Sequence, residues 1–155
     1  MRRVDREVTD PSVVREILQS CDSMRLGLVD EEGAYIVPLN FGFTETDGTI
    51  KIYFHSASVG KKIDILRREP KVSFQMDDGH ELVTGELACS YSYQFRCLMG
   101  HGTVRLLSDP AAVREGLCHI MAHYVPAQDW AFPEKSLLRT VVGELTVCDW
   151  SCKVH

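Results

Sequence analysis

A histidine, two serines and two adjacent lysines fall close together in Phe54-His55-Ser56-Ala57-Ser58-Val59-Gly60-Lys61-Lys62. The alternation of Ile50, Ile52 and Phe54 with Lys51, Tyr53 and His55 predicts a strand over Thr49 to His55. Val59, Ile63 and Leu66 at helical spacing predict a short helix after it, which Pro70 stops. A helix N-terminus presents unpaired N–H groups and a positive dipole end, and hydroxyls with two ammonium groups at such a point suit a phosphate. The same residues also fit a surface helix capped by Ser56 or Ser58 with solvated lysines. His55, at the strand end, is the group suited to proton donation near neutral pH, or to holding the loop through local hydrogen bonds.

Other candidate sites are weaker. His119 and His123 lie one turn apart beside Cys118, but the Glu of an HExxH motif is missing and further ligands would have to converge, so no metal is assigned. Cys21, Cys89, Cys97, Cys118, Cys148 and Cys152 include no CxxC pair and read as free thiols. No GxGxxG, P-loop or GxSxG pattern occurs, which argues against dinucleotide folds and serine hydrolases.

The elements around the loop are mostly strands. Asp10 and Pro11 open a helix that ends near Ser20, with Val13, Val14, Ile17 and Leu18 on its apolar side. Met24 to Val29 reads as a strand, Asp30-Glu31-Glu32-Gly33 as a turn, and Ala34 to Phe43 as the returning strand. Pro38 places that point at an edge or a bulge, where a ligand can face the backbone. Val72 to Met76 and Glu81 to Ala88 read as two strands around Asp77-Asp78-Gly79. Cys97 to Leu107 is β-like with Gly100 and Gly102 marking a bulge or close approach, Asp109-Pro110 opens a helix, and Thr140 to Cys148 is a closing strand. Strands outnumber helices, so the fold class is mainly β with flanking helices, an antiparallel sheet or barrel.

With 155 residues and 45% hydrophobic content, the chain can bury one core and is expected to form a single domain over 1–155. A net charge of −5 gives no general attraction to nucleic acid or an anionic membrane, so any anion site must be local. The charged start lacks an apolar h-region and no apolar run would span a bilayer, which leads to the expectation of a cytoplasmic protein.

Several motifs in one register carry a family resemblance. Met1-Arg2-Arg3 with Asp5-Arg6-Glu7, Tyr35-Ile36-Val37-Pro38-Leu39-Asn40-Phe41-Gly42, Tyr53-Phe54-His55-Ser56-Ala57 with Gly60-Lys61-Lys62-Ile63-Asp64, Tyr93-Gln94-Phe95-Arg96-Cys97-Leu98-Met99-Gly100-His101-Gly102 and Ile120-Met121-Ala122-His123-Tyr124 together resemble the nitroimidazole-resistance (Nim) flavoproteins. These are relatives of pyridoxamine 5'-phosphate oxidase within the FMN-binding split-barrel fold.

The resemblance implies an antiparallel split β-barrel and a homodimer with FMN at the subunit interface. Val37, Pro38, Leu39 and Asn40 would line the isoalloxazine edge, while Phe54, His55, Ser56, Ala57, Lys61 and Lys62 would form the loop holding ribityl and phosphate groups. Tyr93, Arg96 and Cys97 would reach the flavin of the second subunit. Trp150 and Lys153 would stand where relatives carry Thr-Gly-Lys after the final strand, a pattern from which Ser151 and Cys152 depart; ordinary packing explains Tyr93 and Trp150 equally well. The implied function is an FMN-dependent oxidoreductase acting on small aromatic or nitro-substituted acceptors, with His55 as the catalytic candidate. The alternatives are a non-catalytic flavin carrier or sensor, and a haem-binding split barrel using His55, His101, His119 or His123.

Overall fold

The structure is a computed structural model that describes residues 4–125 and 128–155. The Met1-Arg2-Arg3 motif and Pro126 lie outside the described residues.

Helix α1 (Pro11–Ser20) starts where the cap predicts: the Asp10 carboxylate accepts hydrogen bonds from Ser12 N at 2.9 Å and Ser12 Oγ at 2.8 Å. Its residues Val14, Ile17 and Leu18 are buried. Strand β2 (Met24–Asp30) follows a two-residue strand, β1 (Glu7–Val8), and buries Met24, Leu26 and Leu28. It returns through a turn into β3 (Gly33–Leu39), in register from Met24↔Leu39 to Asp30↔Gly33.

The strand expected over Ala34 to Phe43 is broken. β3 ends at Leu39, and β4 (Gly42–Thr46) lies at the opposite end of the sheet order. The break is fixed from a distance by Tyr124, whose hydroxyl accepts from Phe41 N at 3.0 Å and donates to Asp22 O at 2.7 Å. Gly42 then tucks under helix α3 (Pro110–Tyr124), where an added Cβ would lie 2.1 Å from His119 O. Pro38 does sit on an edge strand, since β3 pairs with β2 alone among the described strands.

Strand β5 (Thr49–Ala57) pairs with β4 and leads into α2 (Lys61–Arg68). The two strands expected around Asp77-Asp78-Gly79 are one, β6 (Lys71–Val83). The segments before and after Gly79 pair with the same neighbour, β7 (Ser92–Leu107), so the extra residue between Asp78↔Arg96 and Glu81↔Gln94 becomes a bulge instead of a reversal. Gly79 takes a φ of +66° there.

After α3, capped by Asp109, come α4 (Glu134–Leu137) and β8 (Thr140–Val154). β8 runs well past Cys148, so Trp150, Ser151, Cys152 and Lys153 belong to a paired strand and not to a loop after it. The physical reason is a register shift between His101 and Gly102, after which pairing with β7 resumes.

The sheet order is β3-β2-β6-β7-β8-β5-β4, with β1 added alongside β8. The result is an antiparallel split β-barrel with flanking helices, as the sequence implies. Its main core gathers Ile17, Leu26, Phe41, Phe54, Phe74, Met76 and Leu145 between α1 and the inner sheet face. A smaller cluster, Tyr53, Val113, Ile120, Leu137 and Val142, lies under α3. No helix of the described residues is long and apolar enough to cross a membrane.

The glycines flagged in β7 mark close approaches. A Cβ on Gly102 would lie 2.3 Å from Thr146 O, which is strand backbone and cannot rotate away. We therefore expect Gly102→Ala to destabilise the fold by about 1–3 kcal/mol, measured by urea denaturation. An unchanged midpoint would show that β7 and β8 can separate at no cost.

Candidate functional site

β5 sends its residues to two environments. Phe54 is fully buried in the main core and Tyr53 is buried under α3, whereas His55 and Ala57 end the strand exposed. Ser56 is partly buried. The chain then bends at Gly60, whose φ of +129° no L side chain adopts readily, and enters α2.

α2 is not capped by Ser56 or Ser58. Its N-cap is Gly60, with no side-chain hydrogen bond, and the first amides satisfied by Gly60 O are those of Ile63 at 2.9 Å and Asp64 at 3.0 Å. Among the described residues the amides of Lys61 and Lys62 have no partner, at the positive end of the helix.

The two lysines differ. Lys61 Nζ lies 2.7 Å from Asp30 Oδ2 and 2.9 Å from Glu32 Oε2, and sits 4.9 Å above the Tyr35 ring. Its hydrogen bonds to these carboxylates raise its pKa and lower that of Asp30. Lys62 makes no ion pair or hydrogen bond among the described residues; its ammonium rests 5.8 Å from the Phe54 ring. Half-burial lowers its pKa. At His55, partial desolvation of the ring and then the nearby Lys62 ammonium hold the imidazole below its usual value, so it is neutral at neutral pH. An uncompensated ammonium, open helix amides and a neutral imidazole form a corner suited to a phosphate dianion.

The other sequence-derived residues are distributed as follows. On β3 the side chains of Val37 and Leu39 pack against the main core, which leaves Ile36 and Pro38 on the outer face. Asn40 Nδ2 donates to Tyr124 Oη at 3.3 Å, so its amide braces the β3–β4 break. Cys97 and Lys153 are cross-strand partners, with Gln75 Nε2 donating to Cys97 Sγ at 3.5 Å. Tyr93 is half-exposed on the arm beyond the bulge, where it stacks with His80 at 5.9 Å between ring centroids. The Arg96 guanidinium is committed to Asp78, Ser20 and Glu16, tying the arm to α1. Trp150 packs against the main core.

A cleft of about 680 Å³ crosses the outer sheet face beside Ile36, Gly27, Gln75, Met99 and His101. Ser73 Oγ is 3.0 Å from His101 Nδ1 within it. Of the other histidines named for haem, His55 lies at the α2 corner described above, His123 Nε2 lies 2.9 Å from Cys21 O, and His119 stacks on Tyr53 at 4.7 Å. No metal-binding group of three or more His, Cys, Asp or Glu side chains forms among the described residues. All six cysteines are unpaired. Asp30, Glu32 and Tyr35 around Lys61 and the Ser73–His101 pair carry no signal in the sequence pattern. The acidic turn complements the basic helix, but nothing local links the two.

The fold defines a split β-barrel class, and comparison with known proteins makes this specific. The chain belongs to the pyridoxamine 5'-phosphate oxidase family, whose model matches residues 10–153. A solved structure from Bacteroides thetaiotaomicron, that of a candidate 5-nitroimidazole antibiotic resistance protein, is 32% identical, with a TM-score of 0.82 over 96% of this chain and 86% of that one. The flavocytochrome Anf3 of Azotobacter vinelandii shares the fold at 23% identity and a TM-score of 0.85, covering 100% of this chain and 72% of its own. A FAD- and haem-binding protein of Mycobacterium smegmatis does so at 17% and 0.82, covering 96% and 73%. No curated protein matches the chain.

The depressed His55 pKa has a definite sign. Below the unfolded value of 6.5 the unfolded chain takes up a proton that the folded one refuses, so this contribution to stability is lost as pH falls from 6.5 through the folded pKa. We expect an NMR titration to place His55 below 6.5 and Lys62→Ala to move it upward. An unmoved midpoint would show that the two groups are not coupled.

Proposed function

We propose that the protein is an FMN-dependent oxidoreductase that works as a homodimer, with flavin held between subunits, and passes electrons to small aromatic or nitro-substituted acceptors. The observation that carries this reading is the free, half-buried Lys62 ammonium at the open start of α2, in a chain of the pyridoxamine 5'-phosphate oxidase family. Burying a cation without a partner is costly, and a phosphate removes that cost. The resistance-protein relative, at 32% identity, supports the class of acceptor.

The residues divide the work. Lys62 and the open amides bind the phosphate, while Ser56, Ala57 and the Phe54 side chain shape the strand end above it. Val37, Pro38 and Leu39 present an edge-strand backbone, lacking an N–H at Pro38, to the ring, and Asn40 follows at its end. Neutral His55 is placed to donate a hydrogen bond through its imidazole N–H or to take up a proton at the other ring nitrogen. Tyr93, Cys97 and Lys153, on the arm and the outer face, reach toward the flavin of a second copy, and the exposed Ile36 and Met99 suit burial there. FMN, when bound, supplies the electron transfer; the protein supplies orientation, charge and exclusion of water. The proposed setting is the cytoplasm.

Purified protein should show flavin absorption and release FMN on denaturation. Its reduced form should be reoxidised by a nitroaromatic compound faster than free reduced FMN is. A Soret band in place of flavin peaks would point to haem, and flavin without any rate gain would reduce the protein to a carrier. Lys62→Ala should weaken FMN on the order of 10- to 100-fold and riboflavin little.

A further inference from the structure

Adjacent lysines at a helix start invite the view that both hold the same anion, but their surroundings separate them. The Lys61 ammonium lies between the Asp30 carboxylate, whose side chain is only 9% exposed, and the Glu32 carboxylate, and it covers the Tyr35 ring on β3. One positive charge facing two negative ones leaves this spot with a net negative charge, which a phosphate would meet as repulsion. Arg68 extends the same contact surface, 4.0 Å from Glu31. Two basic residues of α2 are thus fastened to the β2–β3 turn, while Lys62 beside them is not.

We infer that Lys61 is a positioning residue: it locks the start of α2 to the β2–β3 hairpin, so that the phosphate corner at Lys62 keeps a fixed place relative to edge strand β3. This deepens the flavin reading above and rests on it. The turn holds α2 at one end of β3, and the Tyr124 hydroxyl holds the residues just past the other end. An edge strand, paired on one side only, needs both anchors to present a steady backbone to a planar ligand. Lys61 therefore acts on phosphate and ring alike, through geometry, whereas Lys62 acts on the phosphate through charge.

The test is titration of the full-length chain with FMN and with riboflavin, followed by flavin fluorescence, for wild type, Lys61→Ala, Lys61→Arg, Asp30→Asn and Lys62→Ala. Lys61→Ala and Asp30→Asn should each weaken both ligands by the same factor, about 3- to 5-fold, leaving the FMN-to-riboflavin ratio unchanged. Lys61→Arg, which keeps the bridging cation, should restore both, and Lys62→Ala should collapse the ratio. An FMN-selective loss in Lys61→Ala, or an FMN-selective gain in Asp30→Asn, would overturn the inference by making Lys61 a phosphate ligand. Unchanged affinities with only a lower melting temperature would overturn it too, by making the cluster merely structural. Should Lys61→Ala fail to fold, Asp30→Asn carries the same decision. Wild-type protein that binds neither flavin would instead remove the underlying reading, and is distinguished because no variant is needed to see it.

Discussion

Strand β5 can lie against β8 as it does only because residue 143 has no side chain. The Phe54 ring occupies the space over it: a Cβ at Gly143 would lie 2.2 Å from the ring, and the two residues are paired across β5 and β8. Phe54 is wholly buried, so the strand that ends at His55 is anchored by one of the largest side chains in the core. Gly100 and Gly102 make the equivalent concession between β7 and β8. The strand end that carries His55 and leads into α2 is seated by this packing. Without it, β5 would have no fixed end, and the turn into α2 would have nothing to aim it.

The electrostatics of the loop follow from where that aim falls. α2 lands with one lysine over the acidic turn and the next over an aromatic ring, so two chemically identical side chains acquire opposite situations, one neutralised and one held in readiness. The chain's overall negative charge makes the second the more notable, because local placement and not bulk charge creates the site.

Much of this was legible in the residues, and the failures have a common physical cause. Asp10-Pro11 and Asp109-Pro110 announce helix starts correctly because capping is local. Asp77-Asp78-Gly79 has turn chemistry, but whether it reverses the chain or only bulges it depends on β7, which lies farther along the sequence. The break after Leu39 depends on Tyr124, 83 residues from Phe41. The same holds at the site. His55 and the lysine pair stand out in sequence, yet only the fold separates Lys61 from Lys62, engages the Arg96 guanidinium with Asp78, and turns Val37 and Leu39 toward the core.

The position of β8 in the sheet carries a consequence for how the protein is made. This strand is formed from residues 140–154, yet it lies in the middle of the sheet, paired with β7 on one side and β5 on the other, and it holds β1 as well. A chain emerging from the ribosome has β5 and β7 long before the strand that joins them, and until then both expose unpaired edges. The β2–β3 hairpin and the β6–β7 pair can form early, but β5 and β7 cannot be joined until β8 has been made. The pairing of β5 with β8 is then a late step dominated by distant contacts, which is slow by nature.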